Sequence, residues 1–164
     1  MKILVVSDSF KGSMTSKEVG MTICDYYQNH HLEATYLPIS DGGEGFLDAI
    51  NDSFQLEKQQ MQVEDANFNY TESAYIIDQK NKIAYLELAQ SIGLAKLDKN
   101  KLNALYASSF GFGHLIKEII LKYQIKKIII GIGGSATSDL GCGMLEALGV
   151  EFIDKDCLLY TSPS

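Results

Sequence analysis

The sequence predicts an α/β protein with a mostly parallel sheet in the middle of three layers, helices on both faces of the sheet and a β-rich insertion. Three observations support this class. Runs of β-branched and other apolar residues alternate with stretches whose apolar residues recur at helical spacing. Polar, glycine-rich segments follow several of the predicted strands. The insertion is expected at residues 55–95, where apolar and polar residues alternate as in antiparallel strands.

The first predicted elements are a strand, a helix and a second strand. Residues 2–7 form a nearly continuous apolar run, which is typical of a strand covered on both faces. Thr15 and Glu18 have the spacing of a capping box, which predicts a helix that ends near Asn29. Residues 33–38 are predicted as the second strand.

The middle of the chain is predicted to be mainly β. A short helix comes first, with three apolar residues on one face: Phe46, Leu47 and Ile50. Strands are expected at residues 56–63, 74–78 and 82–88, and residues 79–81 suit a hairpin tip between the last two strands.

The last third of the chain returns to β–α alternation. A helix is predicted from apolar residues that share one face: Phe112, Leu115, Ile116, Ile119, Ile120 and Tyr123. A strand at residues 127–132, a helix that begins near Asp139 and a strand at residues 150–153 follow. Residues 157–164 continue neither pattern, and we expect a disordered tail or non-native sequence there.

Composition limits the function classes. Of 164 residues, 46% are hydrophobic and 21% charged, as in an ordinary globular domain. The net charge of −7 disfavours non-specific nucleic-acid binding, and no apolar run approaches the ~18 residues that span a membrane. Cys24, Cys142 and Cys157 lie far apart without metal-ligand spacing, so we expect reduced, buried thiols and a cytoplasmic location.

Residues 126–143 carry the most informative pattern, a strand followed by a glycine-rich turn and a helix. This arrangement can direct backbone N–H groups at an anion. Residues 131–136 match G-x-G-x-x-G/A, and Asp154 follows at the distance expected in a dinucleotide site, so a nicotinamide-dependent dehydrogenase is one hypothesis. The pattern of the common ATPase P-loop is absent from the sequence.

The polar end of this segment favours phosphate or metal chemistry. The hydroxyls of Ser135 and Thr137 can hold phosphate oxygens, and Asp139 can hold Mg²⁺ or accept a proton from an alcohol. An acid so near a pyrophosphate would repel it, which disfavours the dinucleotide hypothesis. The alternative is that Asp139 or Ser138 only caps the following helix.

Two earlier segments also follow predicted strands. Residues 41–45 combine two carboxylates, Asp41 and Glu44, with three glycines, which suits metal binding or general-base work, or else a solvated turn. Lys11 follows the first strand and can reach a transferring phosphate, or else is a solvated surface lysine. Because ligands bind beyond the carboxyl ends of strands in open α/β sheets, we expect the three segments to converge.

Four segments together resemble the glycerate kinase type 1 family in order and spacing: residues 8–12, 41–45, 87–89 with 93–94, and 131–143. The resemblance extends to about residue 156. It implies that residues 1–156 are the amino-terminal portion of a two-domain α/β kinase, so that the fold is incomplete. Two departures from the family pattern are residues 110–113, which are less polar, and Leu140, where the family commonly has glycine.

The resemblance implies ATP- and Mg²⁺-dependent phosphorylation of D-glycerate, at the 2-hydroxyl or alternatively the 3-hydroxyl. Lys11, Asp41 and Asp139 would be catalytic, and the two aspartates are also the metal candidates. Substrate or phosphate contacts would come from small and polar residues of the same segments: Ser9, Gly42, Gly43, Glu44, Gly133, Gly134, Ser135 and Thr137. A homo-oligomer and a catalytically inert fragment are further hypotheses.

Overall fold

The computed structural model describes residues 1–10, 13–98, 103–153 and 159–160. The strands are β1 (Lys2–Val5), β2 (Glu33–Tyr36), β3 (Lys58–Glu64), β4 (Tyr70–Asp78), β5 (Ile83–Glu87), β6 (Lys127–Gly131), β7 (Phe152–Ile153) and β8 (Leu159–Tyr160). The helices are α1 (Ser16–Asn29), α2 (Phe46–Phe54), α3 (Ala89–Ile92), α4 (Phe110–Tyr123) and α5 (Cys142–Ala147), with a 3-10 turn at Leu94–Lys96.

The central element is a four-stranded sheet in the order β3-β4-β5-β6. The α/β class is confirmed, but the strand pairing differs from the expected mostly parallel sheet. The β3–β4 and β4–β5 pairs are antiparallel, and only β5–β6 is parallel. The short connections between β3, β4 and β5 permit hairpins, whereas a parallel crossover needs a dozen or more residues, which α3 and α4 supply between β5 and β6.

Helices cover both faces of this sheet, as the three-layer prediction required. Side chains of β4 and β5 alternate between two apolar clusters because successive residues of a strand point to opposite faces. The larger cluster includes Tyr75, Ile77, Leu86, Phe112 and Leu115, and joins the sheet to α4. The smaller cluster includes Leu47, Ile76 and Tyr85, and joins the opposite face to α2.

Strands β1 and β2 form a separate parallel pair. The expectation that β1 is covered on both faces is wrong for the described residues. Val5 packs with Cys24 of α1 and is 6% exposed, whereas the adjacent Leu4 points the other way and is 63% exposed. Within the part of the chain that the structure describes, α1 covers one face of the pair and nothing covers the other.

The predicted capping box of α1 is confirmed. The Glu18 N–H donates to Thr15 Oγ1 over 3.2 Å, and the Thr15 N–H donates to Glu18 Oε2 over 2.7 Å. These two bonds satisfy N–H groups that a helix start leaves without partners. Thr15 and Glu18 also line the cavity described below, so the same two bonds fix the part of α1 that borders it.

The remaining expectations concern the chain end, the thiols and the membrane. β8 pairs antiparallel with β7, so Leu159–Tyr160 form a short strand inside the predicted tail, and its other residues lie outside the described ranges. Cys24 is buried, Cys142 is exposed and both are free thiols, while Cys157 is not described. None of the helices that the structure describes has the length and hydropathy to cross a membrane.

Candidate functional site

Two of the three predicted segments meet backbone to backbone. The Gly133 N–H donates to the Gly42 carbonyl over 2.9 Å. A Cβ atom on Gly133 would lie 2.5 Å from the Gly43 Cα, and one on Gly131 would lie 2.7 Å from the Gly42 oxygen. Only glycine permits this approach. The predicted convergence of residues 41–45 with the segment after β6 is therefore confirmed.

The segment after β1 contributes to a cavity of about 440 Å³ between α1 and α2, which we call the α1–α2 cleft. Asp8 and Ser9 line it from the end of β1, and Glu44 and Gly45 line it from the second segment. The cleft thus brings together residues of both segments. Lys11, the predicted catalytic cation, lies outside the described residues.

The described lining of this cleft is acidic. Its carboxylates are those of Asp8, Glu18, Glu44, Asp48 and Asp52. Lys17 Nζ lies 2.7 Å from Asp52 Oδ1, and this hydrogen bond and charge raise the pKa of Lys17. Because Lys17 is paired, an anionic ligand needs a further positive charge here.

Asp41 begins its loop at an exposed position outside the cleft lining. Its Oδ1 accepts the Gly43 N–H over 2.8 Å, and Ser40 Oγ accepts the Gly42 N–H over 3.1 Å. Gly42 and Gly45 have φ values of +87° and +89°, a region that favours glycine. These contacts fix the loop and engage one of the two Asp41 oxygens.

The loop after β6 directs much of its backbone inward. The Ala136 N–H donates to the Ile92 carbonyl over 2.9 Å, and the Leu94 N–H donates to the Gly134 carbonyl over 3.0 Å. The Thr137 N–H donates to Ser135 Oγ over 3.1 Å. These amides therefore stabilise the loop rather than form an open anion cradle. The Ser135 and Thr137 hydroxyls lie 3.0 Å apart near the surface and remain suited to phosphate contact.

Asp139 joins the starts of α4 and α5. Its Oδ2 accepts the N–H and the hydroxyl of Ser109, each over 2.7 Å, and the Gly143 N–H over 3.1 Å, while Oδ1 accepts the Gly141 N–H over 3.1 Å. Burial raises the pKa of Asp139, but these hydrogen bonds outweigh it and hold the pKa below its ordinary value. The contacts correspond to the capping alternative. A catalytic or metal role for Asp139 stays a prediction.

Asp139 also lines a different cavity from the acidic cleft. This β6-loop cavity, of about 460 Å³, is bounded by Ser135, Thr137 and Asp139 and by apolar side chains that include Phe112 and Met144. The predicted site residues that line a cavity are therefore divided between two: Ser9 and Glu44 line the α1–α2 cleft, and Ser135, Thr137 and Asp139 line the β6-loop cavity.

Glu87 and Gln90 are the polar residues that the sequence did not assign. Glu87 is buried at the end of β5. The Leu47 N–H donates to its Oε2 over 3.0 Å, and Gln90 Nε2 donates to its Oε1 over 3.2 Å. The sequence signal for a buried polar group was an acidic residue at the end of an apolar strand that is covered on both faces.

Both departures from the family pattern lie in described parts of the chain. Phe112 is buried in the larger apolar cluster, which accounts for the lower polarity of residues 110–113, and the two glycines of that segment lie in close contacts. A Cβ on Gly111 would lie 1.8 Å from the Glu64 oxygen, and one on Gly113 would lie 2.3 Å from the Met144 oxygen. These glycines therefore let α4 approach β3 and α5. Leu140 has φ +56° and is 96% exposed, so it occupies a backbone conformation that favours glycine.

The dinucleotide arrangement does not form. That fingerprint needs a helix to open within its glycine turn so that the helix N-terminus meets the pyrophosphate. Here β6 ends at Gly131 and α5 begins only at Cys142, where its first N–H groups meet Asp139 and Ser109. The matching acid, Asp154, lies outside the described residues.

Fold and site together define an α/β protein with paired glycine-rich loops at strand ends beside an acidic cleft. The sequence model of the Glycerate kinase family matches residues 3–158. The chain belongs to the glycerate kinase family.

Curated relatives agree with this family. The chain is 38% identical over 158 residues to a glycerate kinase of Neisseria meningitidis serogroup B, covering 95% of this chain and 42% of the relative. It is 35% identical over 158 residues to a glycerate 2-kinase of Escherichia coli K12, with 95% and 41% covered.

A solved structure is similar as well. It is the crystal structure of a protein designated glycerate kinase 2 from Salmonella typhimurium LT2, with a TM-score of 0.79 and 31% identity. The match covers 96% of this chain and 42% of that chain. The chain likewise spans about 42% of the length of the Neisseria meningitidis relative.

Proposed function

We propose that this chain forms one wall of a phosphotransfer site that uses ATP and Mg²⁺ to phosphorylate D-glycerate, at the 2-hydroxyl. Family membership and the names of the relatives support the acceptor and the reaction, and the Escherichia coli relative, a glycerate 2-kinase, supports the position. Phosphorylation at the 3-hydroxyl is the alternative, to be distinguished by the product.

The observation that carries this proposal is the contact between the two glycine-rich loops. It sets the acidic loop of residues 41–45 against the hydroxyl-bearing loop after β6, with a hydrogen bond of 2.9 Å between Gly133 and Gly42. Phosphoryl transfer depends mainly on positioning and charge neutralisation. A fixed relation between a carboxylate loop and a hydroxyl loop provides such positioning.

Asp41 is the residue that best fits a metal or a substrate proton. Mg²⁺ in phosphotransfer sites is commonly held by one or two carboxylates with waters and substrate phosphates, and an exposed aspartate with one engaged oxygen suits this pattern. When bound, Mg²⁺ and ATP would supply charge neutralisation and the phosphoryl group. Asp41 would hold the metal or accept the glycerate hydroxyl proton, with Glu44 supporting it from the cleft.

The remaining residues would contact or neutralise the negative charges of the phosphate and the substrate. Ser135 and Thr137 would contact phosphate or carboxylate oxygens through their hydroxyls, with Gly133 and Gly134 allowing close approach. Lys11 would neutralise the transferring phosphoryl group. This fits the acidic lining of the α1–α2 cleft, where the described lysine is already paired with Asp52.

The test is a hybrid enzyme in which residues 1–156 replace the matched part of the Neisseria meningitidis relative. We expect ADP release that requires both D-glycerate and Mg²⁺. A general base contributes about 10²–10⁴-fold, so Asp41→Asn is expected to lower kcat by that factor if Asp41 is the base. Asp25→Asn, at an exposed position of α1, is the matched control.

Two results would decide against the proposal. A folded hybrid that releases no ADP, while the unmodified relative does, would support the inert-fragment hypothesis. Saturable NADH binding without D-glycerate-dependent ADP release would support the dehydrogenase hypothesis. A near-normal kcat in Asp41→Asn would remove Asp41 as the base and leave the reaction itself standing.

A further inference from the structure

Glu87 and Gln90 form a buried polar pair that the roles above do not use. Glu87 is 1% exposed, and a carboxylate at such a position is costly unless hydrogen bonds compensate for the lost water. Each of its oxygens has a donor, the Leu47 N–H at 3.0 Å and Gln90 Nε2 at 3.2 Å. Both oxygens therefore act as acceptors within the protein.

This pair connects three elements at the edge of the cleft. Leu47 lies in the first turn of α2, directly after the loop that ends at Gly45. Gln90 lies in α3, whose backbone is held in turn by Lys96, because Lys96 Nζ donates to the Gln90 carbonyl over 2.5 Å. Glu87 itself ends β5 beside Gly131 of β6. The Glu87 side chain thus fixes α2 and α3 relative to the sheet.

The carboxylate also decides which atom Gln90 presents to a ligand. Gln90 lines the α1–α2 cleft together with Ser9 and Glu44. The amide nitrogen of Gln90 is engaged by Glu87, because Nε2 donates to Glu87 Oε1. The amide oxygen of Gln90 takes no part in that bond and can accept a hydrogen bond from a ligand.

We propose that Gln90 binds a hydroxyl group of the sugar-acid substrate through its amide oxygen and that Glu87 is the positioning residue for Gln90. This inference rests on the proposed function. A neutral acceptor suits this position because carboxylates already line the cleft. A further negative charge would repel the carboxylate of the substrate.

The first test measures D-glycerate binding to the full 164-residue chain by calorimetric titration. Gln90→Met keeps the length of the side chain and removes both polar atoms, so we expect at least about tenfold weaker binding. Gln90→Glu adds charge beside Glu87 and should weaken binding further. Gln79→Met, at an exposed hairpin position outside the cleft lining, is the matched control and should bind normally.

The second test asks whether Glu87 acts through Gln90. Glu87→Gln replaces one acceptor oxygen with an NH₂ donor. With its remaining oxygen on the Leu47 N–H, its NH₂ group meets Gln90, whose amide must then turn its oxygen towards position 87 and its nitrogen away from it. We therefore expect weaker D-glycerate binding. In a Gln90→Met background, Glu87→Gln should cause no further loss of affinity, because the group that it positions is already gone.

Three results would overturn the inference in whole or in part. Unchanged affinity in Gln90→Met would overturn the binding role while leaving the proposed function intact. Independent, additive losses from the two substitutions would overturn the positioning role. If the unaltered chain binds no D-glycerate, the inference fails, and the hybrid-enzyme assay decides separately on the proposed function.

Discussion

Asp41 and Asp139 look alike in the sequence, since each stands in a glycine-rich segment after a strand. Their surroundings differ in the structure. Asp41 is exposed and accepts one N–H, whereas Asp139 accepts four donors that belong to the starts of α4 and α5. Sequence motifs show which residue types are present, but the number of donors around a carboxylate depends on distant parts of the chain such as Ser109. This is why the different surroundings of the two aspartates could not be predicted.

The hydrogen bonds of Asp139 predict a pH-dependent contribution to stability. Because the folded-state pKa is depressed, the stabilisation is present above the ordinary aspartate value of about 4 and is lost as the pH falls through the folded-state pKa. Asp139→Asn should therefore lower the free energy of unfolding at pH 7 by about 1–3 kcal/mol and flatten the acid limb of the stability curve. Urea unfolding from pH 7 to pH 3 measures both effects.

Asp25→Asn, on the exposed side of α1, is the control and should leave the curve nearly unchanged. An Asp139→Asn variant as stable as the unaltered chain at pH 7 would show that these hydrogen bonds contribute little. The catalytic or metal role predicted for Asp139 would then gain support over a purely structural one.

Most elements were predictable because their signals are local. The capping box of Thr15 and Glu18 marks the start of α1, and the apolar period marks the face of α4. Strand pairing was less predictable, because the partner of a strand depends on contacts remote in sequence. β5 pairs with both β4 and β6, so the predicted insertion at residues 55–95 is continuous with the strand that precedes the glycine loop. The burial of Glu87 likewise arises from α2, which precedes it by 40 residues along the chain.

The contact between the two glycine loops predicts unequal effects of two neighbouring substitutions. Gly133→Ala should destabilise the chain by about 1–3 kcal/mol, because its Cβ would lie 2.5 Å from the Gly43 Cα and force the loops apart. Gly134→Ala, whose Cβ would lie 3.4 Å from the Ala89 Cβ, should cost only the left-handed backbone strain at φ +73°, about 1–2 kcal/mol. Denaturant unfolding gives both values, and hydrogen exchange at Gly133 reports the loop contact directly.

A Gly133 amide that exchanges freely in the unaltered chain would mean that the loops can separate freely. The loop contact could then not position the groups for phosphotransfer, and the proposed function would lose this support.

At the scale of the whole molecule, the two sheets differ in how far their apolar faces are covered. The four-stranded sheet has helices on both faces and an apolar core on each. The β1–β2 pair has one covered face, and Leu4, Val6 and Leu37 are exposed on or beside the other. The local pattern of residues 2–7 predicts a buried strand, and this pattern is not satisfied by the residues that the structure describes.

The cleft next to this pair is the part of the molecule on which the functional account depends. Its lining combines Asp8 and Ser9 after β1 with Glu44 and Gly45 before α2 and with Gln90 of α3. The β6-loop cavity is lined by the predicted site residues Ser135, Thr137 and Asp139 and is more apolar than the cleft. We propose that the sugar acid binds in the α1–α2 cleft and that the hydroxyls of the β6 loop contact phosphate.

The most direct test of this assignment is a titration of the ¹⁵N-labelled chain with D-glycerate in the presence of Mg²⁺, followed through backbone amide shifts. We expect saturable shifts of the backbone amides of Ser9, Glu44 and Gly45, and no shift at the hairpin tip of residues 79–81. Shifts confined to the lining of the β6-loop cavity, or no saturable shift in the α1–α2 cleft, would contradict it.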